Sequence, residues 1–275
     1  MHYLVWALVT LLYAPIFKTL YQSRWEYIDY THAYFILPVS LWLAWRKRKE
    51  LKQLVAKISK RSAAPLQWNL ALIILGLFMY FFGWRQDYLF ISTLSLIPLA
   101  FGLTGYLYGP AVSRALAFPI LYLLLLVPPP LGVLDSVTLP MRHWISVVTH
   151  QLLKTLGYPI TRDGLLLSIG GKEIYMGAPC SGFRSLVTMI SLGLAYVYVI
   201  KTSTKNKVIL LCSVAPLALL GNLIRVVGMC LVTFYMGEAA GKGYHDASGF
   251  VIFLVLIGGM LGLEWLLGRN YNPGG

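Results

Sequence analysis

The chain has 275 residues, of which 58% are hydrophobic and 12% are charged, and its mean hydropathy is +0.69. Soluble domains carry about a quarter charged residues, so this composition excludes an ordinary soluble enzyme or binding module. The apolar residues occur in long blocks, which is typical of a helical protein that crosses a membrane several times. A net charge of +13 would indicate nucleic-acid binding in a soluble chain. Its distribution here favours membrane topology, and no nucleic-acid partner is expected.

Apolar runs predict about eight membrane spans. The first run has no basic segment before it and no clear small-residue cleavage site, so we interpret it as a span and not as a cleavable signal peptide. The expected fold class is an all-α polytopic membrane protein, with residues 1–275 as a single integral-membrane domain. The predicted spans are 3–17, 27–45, 66–84, 88–109, 111–127, 182–200, 208–230 and 249–267.

A basic segment between the second and third spans sets the predicted orientation. Residues 46–61 (RKRKELKQLVAKISKR) hold eight of the 23 Lys and Arg residues, which is typical of a cytoplasmic loop. Part of this charge is suited to anionic lipid headgroups. The loop at 201–207 then also falls inside, with three lysines and no acidic residue. This topology predicts a multi-pass membrane protein with residues 128–180 on the outer side.

The segment 128–180 is predicted to have structure of its own. Three prolines at 128–130 end the fifth span, because proline removes a donor and clashes with the preceding turn. From Val137 to Leu152 the apolar residues recur with helical spacing, and Pro140 suits a first helical turn. We therefore predict an amphipathic helix on the outer membrane surface. Its apolar stripe comprises residues 137, 141, 144, 145, 148 and 152, and Arg142, His143 and His150 lie off it.

After this helix, LLLSIGGKEIYM has Gly-Gly between two short apolar runs, which indicates a hairpin. The hairpin leads directly to Cys180, at the start of the sixth span.

Three chemically capable side chains are predicted to reach the outer face from distant parts of the chain. Cys180 lies at the outer end of the sixth span. Arg225 lies 17 residues after Val208, which is about 26 Å along a helix, in a hydrocarbon layer about 30 Å thick. His245 falls in a predicted outer loop, residues 237–249, just before the eighth span. All three therefore come to a similar depth.

This combination of residues is suited to acyl transfer. The thiolate is the nucleophilic form of cysteine, and a helix N-terminus or a cationic neighbour favours it. His245 can pair with the thiol and then protonate a leaving amine. Arg225 can stabilise an oxyanion. The small residues of Cys-Ser-Gly are expected to leave room for a peptide and to keep backbone N–H groups free to donate.

The other two cysteines, Cys212 and Cys230, are interpreted as small apolar fillers of membrane helices. No CxxC pair and no acidic cluster is present, which disfavours a thiol oxidoreductase and a metal site. No cofactor is expected.

Each candidate residue also has a structural interpretation that stays open at this point. A cysteine at the membrane edge packs more often than it reacts, and His245 alone is consistent with an interfacial residue. Arg225 and Arg184 are consistent with snorkelling charges. The alternative function is a membrane transporter or lipid-binding scaffold in which Arg225 and Arg184 hold an anionic group.

At residues 178–186 (APCSGFRSL) the sequence resembles the exosortase/archaeosortase family. The signature of that family is Cys-Ser-Gly at the start of a membrane helix, followed by Arg and then Ser or Thr. NLIR, Asn222 to Arg225, matches its Asn-x-x-Arg block, and GYHDASG supplies His245, as in the bacterial exosortase branch. DYTHAYF echoes an N-terminal Tyr-Ser-His-Gly block around His32, with Thr31 and Ala33 as departures. The resemblance covers about residues 25 to 265.

The resemblance implies a membrane-embedded cysteine transpeptidase or thiol protease, a hydrolase of protein sorting. It would lie in the cell inner membrane, with its active site on the periplasmic, outer face. Its partners would be membrane lipids and exported proteins with a PEP-CTERM signal: a Pro-Glu-Pro-type motif, a membrane helix and a basic tail. Cys180 would be the nucleophile, Arg225 the transition-state stabiliser and His245 the general acid/base. For His32, a supporting and a structural role are both open. The supporting residues would be Ser181, Gly182, Arg184 and Asn222.

Overall fold

A computed structural model of the protein describes residues 2–25, 32–58, 66–130 and 132–268. In these ranges the chain is mainly helical and includes one sheet of three short strands. The chain divides into two compact units, Met1–Pro130 and Leu131–Gly275. The helical membrane class predicted from composition is supported, and the sheet is an addition to it.

The first unit consists of helices of very different lengths. Long α4 is apolar on all sides, and large side chains such as Trp68, Phe78 and Phe81 stay exposed along it, as expected for a helix that faces lipid. The elements are α1 (His2–Leu20) with a π-helical turn (Tyr21–Trp25), α2 (Ala33–Arg46), α3 (Arg48–Ile58), α4 (Leu66–Arg85), α5 (Leu89–Leu94), α6 (Leu96–Tyr108), α7 (Pro110–Ala115), α8 (Ala117–Tyr122) and a 3-10 turn (Leu123–Leu126).

The second unit contains the sheet and the longest helices. Its elements are α9 (Val133–Thr155), β1 (Ile160–Asp163), β2 (Leu166–Ile169), β3 (Lys172–Tyr175), a 3-10 turn (Ala178–Ser181), α10 (Phe183–Val199), α11 (Thr204–Met236) and α12 (Glu238–Gly268).

The predicted spans are found only in part. Within the described residues, four helices are long and apolar enough to cross a membrane: His2–Ser23, Gln67–Arg85, Leu89–Tyr108 and Thr204–Met236. Three shorter apolar helices, Ala117–Leu126, Phe183–Val199 and Ile257–Leu267, lie in the predicted fifth, sixth and eighth spans. The second span is represented by α2, with 14 residues, or about 21 Å of helix. Eight full-length spans are therefore not confirmed.

Two features of the first unit follow from local sequence. The helical run before the three prolines ends at Leu126, as predicted. The basic segment is not an irregular loop, because most of it forms α3. The guanidinium of Arg48 lies 3.8 Å from the centroid of the Trp45 ring at the end of α2, so a cation–π contact joins the two helices.

The amphipathic helix predicted from Val137 is present as α9, but it begins earlier and its faces are used differently. Because α9 begins at Val133, Pro140 lies inside the helix and not in its first turn, so that prediction was wrong. From the apolar stripe, Ile145 is fully buried while Val137 and Trp144 are about half exposed. A polar stripe is buried instead: Thr138, Arg142, Ser146 and Thr149.

The predicted hairpin is confirmed. Strands β2 and β3 pair antiparallel with Ile169 opposite Lys172, and the connecting Gly170 and Gly171 have φ angles of 57° and 79°. Only glycine adopts two such consecutive angles without strain. Strand β1 was not predicted, because ITRD has no clear alternation; it pairs antiparallel with β2.

The last two helices form an antiparallel hairpin that turns at Gly237, where φ is 92°. The prediction of an outer loop at 237–249 was wrong, because α12 begins at Glu238. Two glycines of this helical hairpin allow close packing: a Cβ at Gly241 would overlap Thr233, and a Cβ at Gly228 would overlap the Tyr244 ring. Such close approach needs glycine on one helix.

Candidate functional site

Cys180 lies in the 3-10 turn between β3 and α10. Its backbone N–H donates to the Gly177 carbonyl at 3.0 Å. Gly182 then adopts a left-handed conformation with φ of 76°, which turns the chain into α10 at Phe183. The Phe183 N–H donates to Ser181 Oγ at 3.1 Å. Cys180 therefore precedes the positive end of a helix of 17 residues, a location that favours the thiolate.

Asn222 of α11 connects two separate motifs at this turn. Its Nδ2 donates to the carbonyl oxygen of Cys180 at 3.0 Å, and the bond is buried. Gly182 packs against the same side chain, since a Cβ at Gly182 would lie 2.7 Å from Asn222 Cγ. The Cys-Ser-Gly turn and the Asn-x-x-Arg block are thus in direct contact.

The structure limits two expectations about the small residues of Cys-Ser-Gly. The N–H of Cys180 is not free to bind an oxyanion, because it is bonded to Gly177. The space beside Gly182 is not open to a peptide, because Asn222 fills it. The glycine is required by its positive φ and by the side chain that packs on it.

The Cys180 side chain is 7% exposed and belongs to a cluster of buried residues from α9, the sheet and α11. Cys230 is a fully buried member of the same cluster, so its interpretation as an apolar filler is confirmed. Cys212 lies on the exposed surface of α11, so the same interpretation of Cys212 was wrong. The other buried members are Ile145, Leu153, Ile160, Leu167, Ile169, Ile174, Met176, Val226 and Met229.

Arg225 and Arg184 occupy different environments. Arg225 follows Asn222 by three residues on α11, so the two side chains lie on neighbouring positions of one helix face. It is half-buried and its Nε atom has no contact with solvent. Arg184 is exposed in the first turn of α10.

The backbone of His245 belongs to α12, and the side chain lies outside the described residues. Its neighbour Tyr244 packs against Gly228 of α11. Gly228 is three residues beyond Arg225, or about 4.5 Å along the helix. The hairpin register therefore brings the backbone of residue 245 within about one helical turn of the level of Arg225.

His32 is in the first unit, directly before α2, and its side chain is 2% exposed. Tyr30 and Thr31 of the N-terminal block lie outside the described residues. Both roles that were open for His32 stay open.

Sequence reasoning missed the buried polar stripe of α9. Arg142 Nη2 lies 3.2 Å from Thr138 Oγ1 and 3.5 Å from an Asp135 carboxylate oxygen, and Ser146 Oγ donates to the His143 carbonyl at 2.8 Å. A signal was present, because residues 138, 142, 146 and 149 recur with helical spacing. The apolar period of α9 alone does not indicate that this polar face is buried.

With this geometry in place, a comparison with known families identifies the chain. A family model described as transmembrane exosortase (Exosortase_EpsH) matches residues 25–262, most of the sequence. The chain belongs to the transmembrane exosortase family. Searches of curated proteins and of solved structures found no match.

The matched region of this exosortase includes Cys180, Asn222, Arg225 and His245, together with His32. Of these, Cys180 and Asn222 are joined by a hydrogen bond, and Arg225 follows on the same helix as Asn222. Within the described part of the chain, no group of three His, Cys, Asp or Glu side chains is placed to hold a metal ion.

Proposed function

We propose that this exosortase is a membrane-embedded cysteine transpeptidase or peptidase that processes exported proteins. Its substrate would be a C-terminal sorting signal of the Pro-Glu-Pro type, presented at the outer face of the inner membrane. One observation carries the proposal: the hydrogen bond from Asn222 to the Cys180 carbonyl joins the two motif blocks at a helix N-terminus.

The proposed reaction begins with the thiolate of Cys180. Its sulfur attacks the carbonyl carbon of the scissile peptide bond, and a tetrahedral intermediate forms. The C–N bond then breaks, the leaving amine takes a proton from His245, and a thioester remains on Cys180. Water, an amine or a nucleophilic group of a lipid then attacks the thioester carbonyl and gives its proton to His245. The C–S bond breaks, and the thiolate is regenerated.

The surrounding residues have separate roles in this scheme. Because the Cys180 N–H is bonded to Gly177, Arg225 is the proposed stabiliser of the oxyanion. Asn222 and Gly182 hold the turn that carries Cys180, and Ser181 fixes the first N–H of α10. Exposed Arg184 is the candidate for a contact with the substrate or with lipid headgroups.

The test is co-expression of the exosortase with an exported reporter that ends in a Pro-Glu-Pro-type signal. We expect Cys180→Ala to abolish processing and Cys180→Ser to reduce it strongly. Cys212→Ala is the matched control, because it removes an exposed thiol from α11, and it should process the reporter normally. Normal processing by the Cys180→Ala protein would contradict the proposal.

The same variants separate this activity from the alternative, a transporter or anion-binding scaffold. That function needs the charges of Arg225 and Arg184 but not the thiol. It therefore predicts that Arg225→Ala is defective while Cys180→Ala is normal.

A further inference from the structure

Two buried polar atoms, one on α9 and one on α11, have no hydrogen-bond partner in the described parts of the chain: the hydroxyl of Thr149 and Oδ1 of Asn222. The side chain of Thr149 is 0% exposed and that of Asn222 is 1% exposed. A buried acceptor or hydroxyl without a partner destabilises the protein, so native structures rarely keep one without a reason.

Both residues belong to the elements that surround the thiol. Thr149 lies four residues after Ile145 and four before Leu153, so it is on the same face of α9 as these two fully buried members of the Cys180 cluster. Asn222 lies one turn before Val226 of that cluster and donates its amide to Cys180. The two groups therefore lie on the faces of α9 and α11 that contribute residues to the Cys180 cluster.

Several other helical threonines donate their hydroxyl to a carbonyl of their own helix. Thr93 donates to the Leu89 carbonyl at 2.7 Å, Thr104 to the Ala100 carbonyl at 2.7 Å and Thr188 to the Arg184 carbonyl at 2.8 Å. This local bond is the usual one for a buried hydroxyl in a helix. Thr149 does not make it among the described residues, so its hydroxyl stays available to a partner outside the helix.

We infer that Thr149 and Asn222 line a peptide-binding subsite beside Cys180 and hydrogen-bond the substrate backbone next to the scissile bond. Asn222 donates one amide hydrogen to the Cys180 carbonyl, and its Oδ1 accepts a substrate N–H. The Thr149 hydroxyl donates to a substrate carbonyl. The inference rests on the proposed function, since it concerns the same substrate.

Thr149→Val removes the hydroxyl without changing the shape of the side chain, and Thr149→Ser keeps the hydroxyl. The assay uses the purified full chain and a synthetic peptide that contains a Pro-Glu-Pro motif followed by an apolar helix. We expect Thr149→Val to raise KM roughly five- to tenfold, the effect of one lost hydrogen bond. The kcat should stay within about twofold, and Thr149→Ser should keep a KM near that of the wild type.

Thr155→Val is the matched control, because Thr155 is exposed on α9 and bonds its hydroxyl to the Leu152 carbonyl. It should leave KM unchanged. The melting temperature of Thr149→Val should not fall, because the hydroxyl is not bonded to the described protein. A wild-type KM for Thr149→Val, or a lower melting temperature without a change in KM, would show that the hydroxyl has a structural role only.

Peptides with a single amide replaced by an ester test the acceptor of Asn222, because an ester lacks the N–H. At one position next to the scissile bond, the ester should raise KM for the wild type and for Asn222→Gln, which keeps both the acceptor oxygen and the amide donor. It should add nothing to the KM of Asn222→Ala. Equal penalties in all three proteins at every position would overturn the inference.

The two levels of the account fail in different ways. If Cys180→Ala still cleaves the unmodified peptide, the proposed function is wrong. Suppose that Cys180→Ala is inactive, that Thr149→Val has a wild-type KM, and that each ester raises KM equally in all three proteins. Then only the subsite is wrong.

Discussion

The two compact units use buried polar groups differently. In the first unit these groups fasten helices: the hydroxyls of Tyr13 and Ser95 lie 2.6 Å apart, and Ser40 donates to the Pro119 carbonyl at 2.8 Å. In the second unit, the Thr149 hydroxyl and Asn222 Oδ1 have no partner in the described chain, and they lie on the faces of α9 and α11 that contribute to the Cys180 cluster. Buried polar groups that are all hydrogen-bonded make a stable scaffold. In the proposed subsite, the two groups without a partner receive their hydrogen bonds from the substrate.

The largest effect is expected from Gly182→Ala, at the centre of the second unit. An alanine at position 182 would be strained at the backbone φ of 76°, and its Cβ would lie 2.7 Å from Asn222. We expect processing of a co-expressed reporter to fall by more than about tenfold, because the strain costs about 1–2 kcal/mol and the Cys180 turn must shift.

Gly171→Ala is the matched control for this change. Its φ of 79° is nearly the same, but nothing lies within 4 Å of the added Cβ. It should show the strain alone, with a lower melting temperature and normal processing. If both variants process the reporter equally well, the contact between Gly182 and Asn222 does not control the nucleophile.

A smaller effect is expected from Lys172→Met, which tests how the sheet is attached in the second unit. Lys172 Nζ donates to the carbonyls of Thr233 and Phe234 in the last turn of α11, at 3.0 and 3.1 Å. Loss of these bonds should destabilise the protein by about 1 kcal/mol, seen as a lower melting temperature. Lys154→Met, at an exposed position near the end of α9, should leave the melting temperature unchanged.

In the first unit, Tyr13→Phe should affect stability and leave the chemistry intact. Ser95 Oγ donates to the Ser92 carbonyl, so Tyr13 donates to Ser95. Its removal should cost about 1 kcal/mol, measured as a drop in melting temperature relative to Tyr3→Phe at an exposed position. A change in kcat without a change in melting temperature would contradict the purely structural role of Tyr13 in the first unit.

The smallest effect concerns the surface of the second unit. A hydrogen bond to the Tyr235 hydroxyl, 3.1 Å away, raises the pKa of Tyr158, and partial burial adds to it. The stabilisation is therefore present below the usual tyrosine pKa of about 10 and is lost as the pH rises through the raised value. Tyr235→Phe should lower the pKa of Tyr158, measured by NMR with labelled tyrosine; an unchanged pKa would contradict this cause.

Local signals in the sequence predicted the features that depend on local chemistry. Gly170 and Gly171 mark the hairpin turn, and the prolines at 128–130 follow the end of a helical run. Both depend on backbone conformations that a few neighbouring residues determine.

Features that depend on a distant partner were missed. The glycines of 237–249 indicated a loop, but this segment is part of α12. Gly241 of α12 and Gly228 of α11 lie where these two helices approach closely, so no larger residue fits. The contact between Asn222 and Cys180 joins residues 42 positions apart. Spacing in the sequence carries no information about it.

The sequence predicted α9 as an amphipathic helix on the membrane surface, with its apolar stripe toward lipid. Val137 and Trp144 of that stripe are about half exposed, which agrees with apolar surroundings. The apolar period did not indicate that Arg142 and Thr149 are buried. The proposed subsite adds Thr149 to the candidate residues named by the family resemblance.

The most direct test of the central claim is detection of the acyl-enzyme. The purified protein is mixed with the Pro-Glu-Pro peptide, quenched with acid and measured by intact-mass and fragment mass spectrometry. The account predicts a hydroxylamine-sensitive adduct on Cys180, with the mass of the fragment on the N-terminal side of the cleaved bond less one water. Cleavage of the peptide by Cys180→Ala, or an acyl group on a different residue, would contradict it.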